Sequence, residues 1–212
     1  MEKINWMDFK TNTNPILDSY RSLRTNLQKL TKGDSGCVLE MTSAVPNATQ
    51  GEVVAGLAIV LAQGGSKTLV IDSQQNAPAQ HILFDIPNKG ITDAITTGTG
   101  IETYVQPCVE QENLFVLPVG SVAQNAGELM CSESVRQFIS DSRTAYDYVL
   151  VDMPSVSDSS DTVAFATQTD GVLLVVTSRE DHLNELLGAK NKLIQAGATI
   201  LGCILNKVKV TA

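Results

Sequence analysis

Cys37-Val-Leu-Glu-Met-Thr-Ser-Ala-Val-Pro-Asn-Ala-Thr-Gln-Gly-Glu-Val-Val-Ala-Gly-Leu-Ala-Ile-Val-Leu-Ala-Gln63 decides how the rest of the chain is read. Residues 37–43 have the composition of a buried strand, and residues 52–63 form an apolar run long enough for a helix packed against it. The eight residues between them, Ala44 to Gly51, make a tight turn from strand to helix. A phosphate-binding loop is built on that plan. It needs several glycines so that backbone amides can surround the phosphates, a lysine for the β- and γ-phosphates, and a Ser or Thr hydroxyl for Mg²⁺. Here the loop has one glycine and no lysine, and Gln50-Gly51 stands where Lys-Ser/Thr would fall.

The end of the turn carries its own signal. Thr49-Gln-Gly-Glu52 has the spacing of a capping box, in which Thr49 would accept from the amide of Glu52 and Glu52 would reach back to the amide of Thr49. That arrangement predicts a carboxylate at the positive end of the helix, partly filling the place a phosphate would take.

Outward from this stretch the chain alternates. Strand-like runs are expected at 37–42, 68–72, 114–117, 148–152, 171–177 and 201–205. Helices are expected at 52–63, near 78–84 and 91–97, and at 132–142, 161–167 and 180–196. Strands apolar on both faces, alternating with helices, predict a mostly parallel sheet covered on both sides. Pro15 suits a helical first turn. Ile16, Leu17, Tyr20, Leu23, Leu27 and Leu30 then recur at helical spacing to about residue 31, ahead of the Lys32–Gly36 turn. Residues 1–14 read as a loose polar arm. The reading is a single domain over 1–212, with the 15–31 helix placed for oligomerisation.

With 43% hydrophobic and 18% charged residues, the chain has the composition of a soluble globular protein. Its formal net charge of −8 argues against the basic footprint that nucleic acid requires. Four cysteines without a Cys-x-x-Cys pair read as small apolar residues of a reducing compartment. No signal-like or membrane-spanning run stands out, so a cytoplasmic protein is expected, reaching a membrane only through a partner.

Ligands of such sheets bind at the carboxyl ends of the strands. Asp72 and Asp152 end two strands there and form a candidate Mg²⁺ pair. Asn206, after the last strand, could contact a base or cap the strand end. His81, His182 and the tyrosines receive no role.

Several blocks then run in a familiar order. They are Met41-Thr-Ser-Ala-Val-Pro, Gly56-Leu-Ala-Ile-Val-Leu-Ala-Gln, Leu69-Val-Ile-Asp72, Leu83 through Asp93, Leu117-Pro-Val-Gly, Glu128-Leu-Met, Tyr146 through Pro154 and Leu201-Gly-Cys-Ile-Leu-Asn206. Over roughly residues 15–208 the chain resembles the bacterial tyrosine kinases of capsular and exopolysaccharide biosynthesis, relatives of the septum-site and plasmid-partition ATPases. The resemblance implies a three-layer P-loop-NTPase-like α/β/α fold and family activity that uses ATP and Mg²⁺. Asp18, Arg21 and Arg24 resemble the family's Glu-x-x-Arg-x-x-Arg ring contact, with Asp in place of Glu.

The catalytic motifs depart from the family's. Asn47, Ala48, Thr49, Gln50, Gly51 and Glu52 stand for Gly-Glu-Gly-Lys-Ser/Thr-Thr. Asp72-Ser73-Gln74 stands for Asp-x-Asp, and Asn76-Ala77-Pro78 for Arg-Arg-Pro. Asp152 survives, and the tyrosine-rich tail is absent from the Lys207–Ala212 end. A catalytically degenerate member follows, with no cofactor expected. It would be an interaction module for the cytoplasmic tail of a membrane chain-length regulator, or for an active kinase paralogue, or would form a homo-oligomer. Two alternatives stay open: an active kinase or ATPase with a rebuilt phosphate loop, binding ATP with Mg²⁺ at Asp72 and Asp152, and a partition-type positioning protein.

Overall fold

The computed structural model describes residues 2–10, 15–31, 36–121, 130–177 and 183–206. The expected turn at 32–35, His182, Glu128-Leu129 and the end from Lys207 lie outside them.

Seven strands form one sheet: β1 (Cys37–Thr42), β2 (Thr68–Asp72), β3 (Gln106–Pro107), β4 (Leu114–Leu117), β5 (Tyr148–Asp152), β6 (Gly171–Thr177) and β7 (Ile200–Asn206). Their spatial order is β3-β4-β2-β5-β1-β6-β7, parallel throughout except for the β3–β4 pair. The six strands expected from apolar runs are all present. The two-residue antiparallel β3 was not expected, because so short a segment containing Pro107 carries no strand period. Pro107 and the shortness of β3 blunt that edge of the sheet.

Helices cover both faces. On one lie α1 (Trp6–Lys10), α2 (Pro15–Leu30), α3 (Gln50–Gln63) and α4 (Gln80–Leu83). On the other lie α5 (Ile91–Thr97), α6 (Glu133–Ala145), α7 (Ser160–Ala166) and α8 (Leu183–Gln195). The helix α3 is apolar all round and buried from Val53 to Ala62. It sits between the sheet and α2, where Tyr20 lies so close to Gly56 that any Cβ there would meet the ring. Arg24 closes the other end of this contact, donating from Nη1 to the Val60 carbonyl at 2.8 Å.

The polar segment read as a loose arm instead packs over residues 2–10. Ile4 N donates to Leu83 O at 3.0 Å, Trp6 meets Phe84 with ring centroids 6.3 Å apart, and Lys3 pairs with Asp85 at 2.7 Å. Its aromatic residues are too few to give a helical period, which is why composition alone suggested a free arm.

One core residue is out of character. Glu40 lies in the middle of β1, flanked by Val151 of β5 and Val172 of β6, and is fully buried. Neither carboxyl oxygen has a hydrogen-bond partner, and burial holds its pKa well above the usual carboxylate range.

Candidate functional site

The parallel strands end together beneath the turn from β1 to α3, and β2 and β5 are paired so that Asp72 and Asp152 stand side by side. Both carboxylates are fully buried. The pairing expected from the sequence is therefore present, but each carboxylate is already surrounded by donors.

Asp72 is held by backbone. Its Oδ1 accepts from Gln74 N, and its Oδ2 accepts from Ala79 N and Gln80 N, each at 2.9 Å. The last two bonds tie it to the first residues of α4. Asp152 is held by three glutamine side chains. Its Oδ1 accepts from Gln50 Nε2 and Gln74 Nε2, and its Oδ2 from Gln80 Nε2, each at 2.7 Å.

Gln50 is the centre of this cage. Although it opens α3, its side chain is 1% exposed and turns under the loop. Nε2 also donates to Met153 O at 2.7 Å and Met41 O at 3.2 Å, so one amide links β1, β5 and α3. Gly51 completes the packing. A Cβ there would meet Ala79 Cβ at 2.6 Å and Gln80 Nε2 at 3.3 Å. The N-terminus of α4 thus fills the space that a Ser or Thr side chain would need.

Two like-charged carboxyls in a dry site oppose ionisation. Burial, and then the charge of Asp152, push Asp72 up to about 7, against the pull of its three amide donors. Burial raises Asp152 as well, against the three glutamines. Mg²⁺ needs near-octahedral oxygen ligands at roughly 2.0–2.1 Å. Here N–H groups point at both carboxylates and position 51 offers no hydroxyl, so this donor set does not fit Mg²⁺.

The predicted capping box does not form. Thr49 makes no side-chain cap, because its hydroxyl donates to Asn47 Oδ1 at 2.9 Å and its amide donates to the same oxygen at 3.0 Å. Glu52 is exposed and lies beside Tyr20, whose hydroxyl donates to its carbonyl at 3.4 Å. Glu52 therefore does not fill the anion site; the buried amide of Gln50 lies beneath it instead. Burial and the nearby Glu52 charge push Tyr20 up to about 12.

Asn206 braces the loop, donating to Thr49 Oγ1 at 3.1 Å, while Asn47 Nδ2 donates to Thr177 Oγ1 at 2.8 Å. The loop is thereby fastened to the ends of β6 and β7. Ala48 is exposed at its tip. The proposed oligomerisation residues divide: Asp18 and Arg21 pair at 3.3 Å on the outer face of α2, whereas Arg24 is engaged with α3 of its own chain. His81 lies on α4 with a buried Nδ1 that has no partner.

Sequence reasoning missed Gln74 and Gln80 as site residues. Gln74 registered only as a lost acid. Gln80 sits in the four-residue α4, too short for a periodic signal.

No family model matches the chain. It is 30% identical over 92% of its length to the putative tyrosine-protein kinase CapB of Staphylococcus aureus, covering 86% of that protein. It is also 30% identical to the tyrosine-protein kinase YwqD of Bacillus subtilis, over 92% of the chain and 82% of the relative. Among solved structures it superposes on the kinase domain of the Escherichia coli tyrosine kinase ETK with TM-score 0.91 and 26% identity, covering all of this chain and 84% of that one. The septum-site-determining protein MinD of Pyrococcus horikoshii, complexed with Mg-ADP, shares the fold at TM-score 0.69 and 20% identity, over 83% and 72% of the two chains.

Proposed function

This chain belongs to the bacterial tyrosine-protein kinases, and we propose that it is a non-catalytic member acting as a regulatory or interaction module in capsular or exopolysaccharide biosynthesis. The observation that carries the reading is the position of Gln50. It replaces a cationic phosphate ligand with a buried neutral amide whose two N–H groups are shared among Asp152, Met153 and Met41. Phosphoryl transfer depends on charge stabilisation by lysine and metal around the phosphates. In this chain the lysine position is neutral and the two acids are enclosed by N–H donors.

The partner fitting this reading is the cytoplasmic tail of a membrane chain-length regulator, or an active kinase paralogue. No described helix is long and apolar enough to cross a membrane, so membrane contact would come through that partner. The engagement of Arg24 with Val60 argues against a ring built on the family-type arginine contact. The net charge of −8 argues against a DNA-positioning role.

A second reading, nucleotide binding through backbone amides of the altered loop, is favoured by one observation: a cavity of about 650 Å³ persists beside it. Incubating the protein with ATP and Mg²⁺, followed by phosphotyrosine detection, tests the two. The proposal expects no phosphotyrosine above background and specific binding of the regulator tail. ATP-dependent phosphotyrosine that disappears in Asp152→Asn would overturn it.

A further inference from the structure

The two edges of the sheet are built differently. The strand β3 is two residues long and contains Pro107, whereas β7 runs for seven residues with no proline and no charged side chain. Its register with β6 is regular from Gly202 to Asn206, beyond an irregularity near its start. Among the described residues no strand lies on its outer side, and no hydrogen bond reaches the outward backbone groups of Gly202 to Leu205. Such an edge is a template for one more extended strand.

The side chains beside this edge are apolar and exposed. Cys203 and Leu205 stand opposite Leu174 and Val176 of β6 and so emerge on one face, the face on which Leu174 packs with Ala189 and Leu193 of α8. Yet Cys203 is exposed, and Leu205 is 56% exposed. Leu183, Leu187 and Ile194 recur with Lys190 along one side of α8, and all three apolar residues are exposed. The Lys190 charge acts on the Cys203 thiol, which places that side of the helix toward β7. Four of the nine exposed large apolar side chains of the described residues therefore stand at this one edge. Apolar groups concentrated in this way mark interaction surfaces.

We propose that β7 pairs with β7 of a second copy of this chain, antiparallel about a two-fold axis at Ile204, joining the two sheets into one. The regular segment Gly202–Asn206 is centred on Ile204, so the same five residues supply both sides. Cys203 then lies opposite Leu205 of the second copy, and Leu205 opposite Cys203 of the second copy, so the two exposed side chains cover each other. No charge meets a charge within the strand pair. The same axis brings the exposed sides of the two α8 helices toward each other. A strand from another protein would satisfy the backbone edge, but a second copy also brings a second set of exposed apolar side chains. An isologous contact of this kind closes at two chains. It uses a surface other than α2 and is independent of the reading of the phosphate loop.

Sedimentation equilibrium of the full chain tests it. The wild type should dimerise with a dissociation constant of roughly micromolar order. Leu205→Lys puts a charge on an exposed edge position and should weaken the dimer by about tenfold or more, with the thermal midpoint of the dilute chain unchanged. Ile16→Lys, at a similarly exposed apolar position on α2, should leave the dimer as it is. In Leu205→Cys, oxidised glutathione should crosslink two chains through Cys203, and adding Cys203→Ser should abolish the crosslink. A wild type that stays monomeric at about 100 µM, an oligomer larger than two, a dimer that Leu205→Lys leaves intact or one that Ile16→Lys dissociates would overturn the inference.

Discussion

Gln50 Nε2 lies 2.7 Å from Asp152 Oδ1, so the residue at the lysine position is bonded to the acid expected to serve the metal. The contact holds together the first turn of α3, the end of β5 and, through Met41, the end of β1. One side chain thus serves as a structural joint beneath the turn from β1 to α3.

Gln50→Ala should therefore destabilise the fold. It removes a donor shared by three acceptors; Met41 O keeps the Met153 amide at 2.9 Å and Asp152 Oδ1 keeps Gln74, but the Met153 carbonyl loses its side-chain donor in a dry site. An unsatisfied buried group costs about 1–3 kcal/mol, so a loss of roughly 1–3 kcal/mol is expected in urea unfolding. A change within about 0.5 kcal/mol would mean that the amide is incidental.

Gly51→Thr introduces the residue type of a metal-binding loop and should be unfavourable. Its Cβ would run into Ala79. Overpacking of this kind costs typically about 1–3 kcal/mol. The double variant Gly51→Thr/Ala79→Gly should recover part of that loss, and thermal denaturation of the pair measures the recovery. An undiminished midpoint in Gly51→Thr alone would show that α4 yields freely.

Glu40 offers the opposite sign. Replacing a buried carboxyl that has no partner with an apolar side chain of similar volume removes a desolvation penalty. Glu40→Leu should raise stability by about 1–3 kcal/mol. A destabilised Glu40→Leu would point to a polar neighbour that the carboxyl serves.

The buried acids also set the pH dependence. A carboxyl whose folded pKa exceeds its unfolded value of roughly 3.9 keeps its proton longer in the folded chain. Its stabilising contribution is fully present below about pH 4 and is lost as pH rises through the folded value, about 7 for Asp72. Glu40 and Asp152 are shifted the same way. Urea midpoints should fall from pH 5 to pH 8, and Asp72→Asn should flatten the slope. Midpoints rising over that interval would contradict the raised values of the buried acids.

Much of this fold was legible because its strands are buried on both faces and so read as unbroken apolar runs. The pairing of Asp72 with Asp152 was legible too, since each terminates such a run. The side chains that close the site were not. Gln80 belongs to a helix of one turn, and its contact with Asp152 joins residues 72 positions apart. The capping-box reading of Thr49 and Glu52 failed because spacing says nothing of competitors, and Asn47 takes both the hydroxyl and the amide of Thr49. Glu40 was not singled out in the sequence; its place between Val151 and Val172 and its two unpartnered carboxyl oxygens are seen only in the structure.

The most direct measurement is calorimetric titration of the purified protein with ATP and with ADP, each with Mg²⁺. With Gln50 fixed on Asp152 and no lysine in the loop, no binding is expected up to millimolar nucleotide. Micromolar binding would contradict the account and show that the loop has been rebuilt as a nucleotide site.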